Sequence, residues 1–428
     1  MNPIDQFDHY DVPLGHDGTP YGAYEAIRDW GVQEDKQLAW SQKYGGFWVV
    51  FGYEAANQIF SDHERFSNKY STFPVYTSPG ARPLMLGAYD EPLHRKYRRL
   101  VQGPFSGRAA TALTDTLRVA VNDIIDNFIE AGRVEIVDAL AQEFPSRTMA
   151  VLLGLPPEDG DRYKEWTDAM ARLALSDPQK AGEILGTMDV WFKQLLADRR
   201  ANPGDDVFSG ILDAEVDGEK LTEEELYDFI VVLLLGGIDT TVKLLSTMFW
   251  RLAWDVELRR RLIDQPDLIA LSADEFARYY PPATFVRVVK EPVTMFGCEM
   301  QPEQVLVGIM PSINRDPRQF PNPDAFLPDR NPNKHLTLGH GIHKCLGAHL
   351  VRLETRICIE ELLRRIPRFE LAAGSTAVWQ NGTISGMERC EIVFEPGVRE
   401  NQGAKKLALV HRTSTAIDDL DAVAAVGL

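Results

Sequence analysis

Cysteine is scarce in this chain of 428 residues, and none of its four cysteines belongs to a closely spaced pair. They are Cys298, Cys345, Cys358 and Cys390, and no C-x-x-C motif occurs. This spacing excludes a zinc ribbon and a disulfide framework. Any cysteine chemistry must therefore come from a single residue.

Positive charge and long apolar runs are also in short supply. The 45 Lys and Arg residues against 63 Asp and Glu give a net charge of −18, which disfavours nucleic acid as the main partner. The apolar run from Phe229 to Ile238 is too short to span a membrane, and the N-terminus lacks the basic region of a signal peptide. We therefore expect a cytoplasmic protein that binds neither nucleic acid nor membrane.

The rest of the chain has an ordinary globular composition and mostly helical spacing. Helical patterns dominate residues 93–281 and return from near Cys345 to Arg364. Short strands are predicted around residues 47–51, 284–307 and 369–394, and the proline-rich segment 316–333 is expected to be irregular. The pattern predicts a mainly α fold with a small β region, in a single domain over residues 1–398. Residues 399–428 form a tail of unknown role.

The segment from Leu338 to Gly347 places one cysteine among three glycines, just before an amphipathic helix. An isolated cysteine is usually a buried structural residue. Here the expected helix N-terminus favours the thiolate of Cys345, and the glycines allow a bulky group to approach the backbone. The segment therefore suits a metal-bound thiolate.

A second unusual segment lies in the longest predicted helix. The capping-box pair Thr222 and Glu225 predicts a helix that continues to about Trp254. Within it stand two adjacent glycines, each of which costs about 1 kcal/mol relative to alanine. Close packing against another helix is one explanation for them.

A functional role is the other explanation for this glycine pair. Gly236 and Thr240 are one helical turn apart, so they place a gap and a hydroxyl group on one face. Asp239 follows directly after an apolar run, and a carboxylate in such a position favours function over packing.

The decapeptide from Leu338 to Gly347 resembles the haem-binding signature of the cytochrome P450 family, Phe-Gly-x-Gly-x-His-x-Cys-x-Gly. Leu338 stands where the family has Phe. The resemblance implies a cytochrome P450 fold with one haem b, whose axial iron ligand is Cys345. A thiolate ligand favours O–O bond cleavage. The other cofactor-binding positions that the motif implies are Leu338, Gly339, His343 and Gly347.

The segment from Leu235 to Thr241 is similar to the oxygen-binding motif of the same family. The resemblance implies that Thr240 hydrogen-bonds bound dioxygen, that Asp239 relays protons from solvent, and that Gly236 borders the cofactor. The motif precedes Cys345 by about a hundred residues, which is also typical of the family.

Two further sets of residues are implied by the resemblance. Glu275 and Arg278 match a Glu-x-x-Arg element that locks the proline-rich segment to the core, with Arg330 as third partner and His335 as the alternative. Four positions match residues that bind the haem propionates, although taken alone they would be exposed cations or structural histidines. These four are His94, Arg98, Arg287 and His343.

The substrate pocket is expected to lie beside the oxygen-binding helix and the loop at residues 67–92. Its predicted lining is mostly apolar, which favours a compact hydrophobic molecule such as a terpenoid, steroid or aromatic. Oxygen from O2 would be inserted into a C–H bond. The lining residues are Tyr76, Leu84, Met85, Val232, Leu235, Gly236, Thr284, Phe285, Val286 and Ile384.

The resemblance also implies redox partners. Soluble bacterial members take electrons from a 2Fe-2S ferredoxin that an NAD(P)H-dependent reductase reduces. A basic group could steer an acidic ferredoxin, or could consist of ordinary solvated cations. Its members are Arg95, Lys96, Arg99, Lys344 and Arg352. Two alternatives to a monooxygenase remain: a peroxide-driven member of the same fold, and a non-enzymatic haem sensor or electron carrier.

Overall fold

Helices form most of the body, as predicted. The computed structural model describes residues 2–70, 72–74, 84–156, 159–173, 177–375 and 378–401. Within these ranges the α-helices are α1 Tyr21–Gln33, α2 Tyr53–Ser61, α3 Leu93–Val101, α4 Gly107–Ala112, α5 Thr114–Phe128, α6 Glu143–Leu153, α7 Gly160–Asp168, α8 Pro178–Ala201, α9 Val207–Asp213, α10 Glu223–Trp254, α11 Val256–Asp264, α12 Leu268–Tyr279, α13 Met310–Ile313 and α14 Ala348–Arg365.

The β structure of the described residues is small and forms one five-stranded sheet, one three-stranded sheet and three two-stranded sheets. The strands are β1 Leu38–Ser41, β2 Phe47–Val50, β3 Phe66–Ser67, β4 Arg133–Glu135, β5 Glu215–Val216, β6 Glu219–Lys220, β7 Phe285–Val289, β8 Val293–Met295, β9 Cys298–Met300, β10 Val305–Gly308, β11 Phe369–Leu371, β12 Val378–Gln380, β13 Gly386–Arg389 and β14 Glu391–Phe394. The largest sheet has the order β1-β2-β10-β7-β3, in which only the β10–β2 pair is parallel.

The long helix α10 runs through the core. It begins with the predicted capping box, in which Thr222 and Glu225 bond reciprocally, and it is buried along most of its length. Its length and composition would allow it to cross a membrane, but 67% of its most apolar window is buried inside the protein. In the described part of the chain it is therefore a core helix.

α10 contacts both helical and β elements. Met149 of α6 packs directly against Gly237, and strand β13 lies along the second half of the helix. Thr148 of α6 also lies near Glu354 of α14. Helix α6 is therefore close both to the helix with the glycine pair and to the helix after the cysteine segment.

Helix α14 begins later than the sequence analysis placed it. It starts at Ala348 with Gly347 as its N-cap residue, three residues beyond Cys345. The reason is a backbone hydrogen bond from Cys345 N–H to Leu338 O of 2.7 Å, which folds the cysteine back onto its own loop. The sequence analysis also did not predict β4 or the hairpin β5–β6, which lie inside the helical region.

Candidate active site

The cysteine segment forms a tight loop that needs two of its glycines. Gly339 and Gly341 have φ angles of +68° and +69°, a region that residues with a Cβ rarely adopt. A Cβ on Gly341 would also lie 2.5 Å from the Phe60 carbonyl oxygen of α2. The glycines therefore allow the loop to fold tightly against α2.

Cys345 is exposed, unlike Cys358 and Cys390, which are buried. Burial by the surrounding protein nevertheless raises the pKa of the Cys345 thiol, against the opposing effects of the Gly347 N–H and the Arg98 guanidinium. The two observations are compatible if the sulfur lines an opening inside the protein. A thiol held this way presents its sulfur to a ligand.

The two glycines of α10 serve different purposes. A Cβ on Gly237 would lie 2.5 Å from Met149 Sδ, so this glycine is needed for close helix packing. A Cβ on Gly236 would meet nothing within 4 Å, and Gly236 is exposed in the middle of a core helix. Both explanations from the sequence apply, each to one glycine, and the Gly236 face borders open space.

Thr240 and Asp239 lie on or beside this open face. The Thr240 hydroxyl donates to the Gly236 carbonyl oxygen at 3.0 Å. This leaves the oxygen of the hydroxyl able to accept a further hydrogen bond. Asp239 is 5% exposed, so its carboxyl group is almost entirely enclosed.

A cluster of cationic and histidine side chains surrounds the cysteine loop. The rings of His94 and His343 are 4.2 Å apart, and Arg98 Nη2 donates to the Lys344 carbonyl oxygen at 2.7 Å. Arg287 is buried on β7 and donates to the Val286 carbonyl oxygen at 2.8 Å.

This cluster holds more cationic and donor groups than carboxylates, with Glu91 Oε1 lying 3.7 Å from His94 Nδ1. Burial and the nearby arginines lower the pKa of His343 to about 3, and burial lowers that of Arg287 to about 10. Both ring nitrogens of His94, and Nε2 of His343, are buried without a hydrogen-bond partner among the described residues. Such a set of donors is suited to bind carboxylate groups.

These observations fit an iron porphyrin with two propionates. The exposed thiol of Cys345 offers an iron ligand, the donors near His343 offer partners for carboxylates, and Gly236 leaves room on the helix. Histidine, cysteine, aspartate and glutamate side chains form no metal cluster of three or more within the described residues.

Glu275 is the centre of a buried network. It is fully buried and accepts two 2.8 Å hydrogen bonds from Arg278. Arg330 Nε lies 3.1 Å from Glu275 Oε2, and both arginines also bind carbonyl groups of residues 314–325. His335 pairs instead with Asp274 at 3.1 Å.

The predicted pocket residues do not all share one surface. Val232, Leu235 and Gly236 lie along one side of α10, and Ile384 forms a bridge with Ala283, next to Thr284. Tyr76 lies outside the described residues. Leu84 is partly exposed, and Met85 is buried.

Phe285 is a correction to the predicted pocket. It packs on Phe60 with ring centroids 4.4 Å apart and touches Gly308, whereas Val286 belongs to the other core cluster. Successive residues of a strand point to opposite faces, so the two cannot line the same cavity. Phe285 is a core residue.

The predicted basic group is mostly neutralised by carboxylates. Arg95 pairs with Glu91, Lys96 with Asp217, and Arg352 with Asp274 at 2.7 Å. Arg99 and Lys344 form no ion pair with any described residue and are exposed. Only these two of the five cations remain available to an acidic partner.

Lys243 and Glu354 are among the buried ionisable residues that the sequence analysis missed. Lys243 is 1% exposed and forms an ion pair with Glu388 of β13. Glu354 of α14 is 2% exposed, and burial raises its pKa to about 8. The sequence does contain a signal for Lys243: a lysine stands one helical turn after Asp239 in a mostly apolar segment of the helix.

Comparisons with known proteins agree with this geometry. The family model Cytochrome P450 matches residues 267–376. The Mycinamicin IV hydroxylase/epoxidase of Micromonospora griseorubida is 32% identical, with 79% of this chain and 86% of the relative covered.

Solved structures give the same result. CYP109E1 from Bacillus megaterium in complex with testosterone has a TM-score of 0.78 at 28% identity, with 89% of this chain and 98% of that chain covered. A mutant of P450 EryK in complex with erythromycin B has a TM-score of 0.79 at 29% identity, with 89% and 99% covered.

The chain belongs to the cytochrome P450 family. It has the fold of bacterial members, so the predicted fold class is confirmed. It is an oxygen-incorporating oxidoreductase whose cofactor is haem with cysteine thiolate ligation. The non-enzymatic sensor or carrier is thereby excluded.

Proposed function

We propose that the chain is a monooxygenase in which Cys345 is the axial ligand of haem b. The observation that carries this proposal is the exposed Cys345 thiol in a loop beside histidine nitrogens that are buried without a hydrogen-bond partner among the described residues. His94, Arg98, Arg287 and His343 would hold the propionates, and Leu338, Gly339 and Gly347 would border the porphyrin. When bound, haem supplies the site at which O2 is reduced and one oxygen atom is inserted into a C–H bond.

The residues of α10 would provide the protons for this reaction. Asp239 takes up a proton from solvent and passes it on, and the Thr240 hydroxyl accepts and donates hydrogen bonds at the open face. The bond from Thr240 to the Gly236 carbonyl fixes the rotamer of this hydroxyl. Gly236 keeps the space beside it free of side-chain atoms.

The carbon monoxide difference spectrum of the reduced protein tests the ligand assignment. The wild-type protein should show the band typical of a thiolate ligand, and Cys345→Ala should lose it. Cys358→Ala, at a buried cysteine, is the matched control and should retain the band. A thiolate band in Cys345→Ala would refute the assignment.

Product formation tests the two α10 residues. Asp239→Asn should lower turnover about a hundredfold, because a positioned proton donor contributes 10²–10⁴-fold. Thr240→Ala should divert electrons from NAD(P)H into hydrogen peroxide. The peroxide-driven alternative predicts instead that both variants keep wild-type turnover with added peroxide and that the wild type needs no electron donor.

We propose a compact hydrophobic substrate, bound between Val232, Leu235 and the Thr284–Ile384 region. The support is the apolar character of these residues and the testosterone in the related CYP109E1 structure. A macrolide is the second candidate, because one relative is named a mycinamicin hydroxylase and another structure holds erythromycin B. Optical titration with testosterone and with erythromycin would separate them, since a bound substrate shifts the Soret band.

The electron donor in this proposal is a 2Fe-2S ferredoxin, reduced by an NAD(P)H-dependent reductase, and the location is the cytoplasm. Arg99 and Lys344 support an acidic partner, since they are exposed cations near the cysteine loop. We assign the haem domain to residues 1–398. Residues 402–428 of the tail lie outside the described residues, and residues 399–401 lie against α5 through Asp126.

A further inference from the structure

Lys243 is a buried cation in the helix that carries Asp239 and Thr240. It is 1% exposed, and its ammonium group pairs with the carboxylate of Glu388, which lies 145 residues further along the chain. Removing a lysine charge from water is unfavourable unless it is compensated. A lysine in this position therefore calls for an explanation beyond packing.

Strand β13 prevents this lysine from reaching solvent. The Cβ that an alanine would place at Gly386 lies 2.8 Å from the Lys243 Cβ, so the strand backbone lies directly on the side chain. The Ser246 hydroxyl donates to the Met387 carbonyl oxygen at 3.0 Å, and the Met387 N–H donates to Thr247 Oγ1 at 3.3 Å. Long cationic side chains usually extend toward water. Here the contacts of β13 keep the ammonium group of Lys243 inside the protein.

Asp239 lies one helical turn before Lys243. Both residues are buried, and an acidic residue four positions before a lysine is the favourable order on a helix. The buried Asp239 and the partly exposed Glu388 thus place two carboxylates beside one ammonium group. The ammonium group favours the ionised form of the buried carboxylate, since an opposite charge nearby stabilises the charged form.

We infer that Lys243 is a positioning residue for Asp239, which it keeps as a carboxylate able to take up a proton and pass it on, while Glu388 anchors the ammonium group at β13. This inference rests on the role proposed above for Asp239. It adds a residue outside both sequence motifs to the proton-delivery apparatus.

The infrared spectrum of the ferric haem protein is the first test. In the difference spectrum against the wild type at neutral pH, Lys243→Met should show an additional protonated carboxyl band, and the added substitution Asp239→Asn should remove it. The double variant Lys243→Met/Glu388→Met should show the same band. Because an apolar pair often replaces a buried ion pair without loss of stability, this variant also serves if the single one does not fold.

The second test is the share of NADPH electrons recovered as hydrogen peroxide, with a surrogate ferredoxin and reductase and no organic substrate. Lys243→Met and the double variant should raise this share about threefold, a part of what a positioned proton donor contributes. Ser246→Ala breaks a contact between the same helix and strand without changing charge, and should leave both readouts unchanged.

The outcomes separate the inference from the proposed function. A double variant that behaves like the wild type in both tests, or a Ser246→Ala variant that reproduces its effects, would show that the pair only fastens β13 and would overturn the inference. A peroxide share unchanged by Asp239→Asn would instead refute the role of Asp239 itself.

Discussion

Glu354 shows how burial changes the pKa of a single residue and thereby the pH dependence of stability. It lies on α14, 2% exposed, close to Thr148 of α6. Burial raises its pKa from 4.5 to about 8, so the folded protein binds this proton between pH 4.5 and pH 8, where the unfolded chain has released it. Stability from this group is therefore present below pH 4.5 and is lost as the pH rises toward 8.

We predict that Glu354→Gln flattens the dependence of stability on pH. The amide cannot ionise, so the variant should avoid a loss on the order of a few kcal/mol between pH 5 and pH 8. Urea unfolding at several pH values measures this. Glu360→Gln is the control, because this carboxylate on the same helix is half-buried and forms salt bridges with Arg118 and Arg356. Equal slopes for Glu354→Gln and the wild type would contradict the prediction.

At the scale of an element, two adjacent glycines of α10 have different roles: one allows close helix packing and the other leaves open space beside the helix. Gly237 is in close contact with Met149, whereas Gly236 faces open space. The same pair of glycines therefore costs helix stability twice, by about 1 kcal/mol each, for two different reasons. These reasons can be separated by adding one methyl group at each position.

Gly236→Ala should stabilise the fold by about 0.5–1 kcal/mol, because it gains helix propensity without a clash. Gly237→Ala should be neutral or destabilising, since overpacking costs about 1–3 kcal/mol and offsets the same gain. Thermal unfolding of both variants checks the difference. In a double-mutant cycle Met149→Ala should couple to Gly237→Ala and not to Gly236→Ala, and equal coupling to both would be evidence against this account.

Elements with a strong local signal were predictable from the sequence. The capping box of Thr222 and Glu225, and the apolar strand that begins at Phe47, depend on neighbours within a few residues, and both occur as predicted. The start of α14 depends instead on a bond from Cys345 to Leu338 that closes a loop. Helical periodicity contains no information about such a bond, so the predicted helix began too early.

The site residues also divide into those that a local sequence motif predicts and those that depend on contacts distant in the sequence. Cys345, Asp239 and Thr240 stand in motifs that the sequence displays directly. The pairing of Lys243 with Glu388 spans 145 residues, and the opposite orientation of Phe285 and Val286 follows from the register of β7 with β10. Such relations are fixed by tertiary packing, which no short segment of the sequence encodes.

At the scale of the whole molecule, Glu275 joins the helical body to the proline-rich segment. It is fully buried and balances two arginines, and it also accepts the Leu327 N–H at 2.8 Å and the Asn333 amide at 3.1 Å. The segment at residues 316–333 contains neither helix nor strand, so these bonds replace regular structure as its attachment.

We predict that Glu275→Gln destabilises the protein by about 3–5 kcal/mol, because it leaves two buried guanidinium groups without their counter-charge. Asp274→Asn is the matched control. Asp274 is half-buried and pairs with His335 and Arg352, so its loss should cost about 1 kcal/mol or less. Urea unfolding of both variants provides the comparison, and similar losses would show that Glu275 is not the central attachment.

The charge distribution over the surface leads to a prediction about the electron donor. The chain carries a net charge of −18, so it repels an acidic protein except where cations are unpaired. Arg99 and Lys344 are such cations, and the bond from Arg98 to the Lys344 carbonyl brings helix α3 and the cysteine loop together. Arg368 is highly exposed, but it lies beyond the far end of α14, about 27 Å along the helix from the loop.

Arg99→Glu/Lys344→Glu should therefore slow reduction by a 2Fe-2S ferredoxin about tenfold at low ionic strength, because the field that steers association is reversed locally. The effect should shrink as salt is added, since the screening length falls to about 8 Å at physiological ionic strength. Arg368→Glu changes the net charge in the same direction and should leave the rate nearly unchanged. Stopped-flow reduction at several salt concentrations measures the wild type, the double variant, Lys344→Glu and Arg368→Glu. If Arg368→Glu slowed reduction as strongly as a single reversal at Lys344, net charge rather than a local docking surface would govern the encounter.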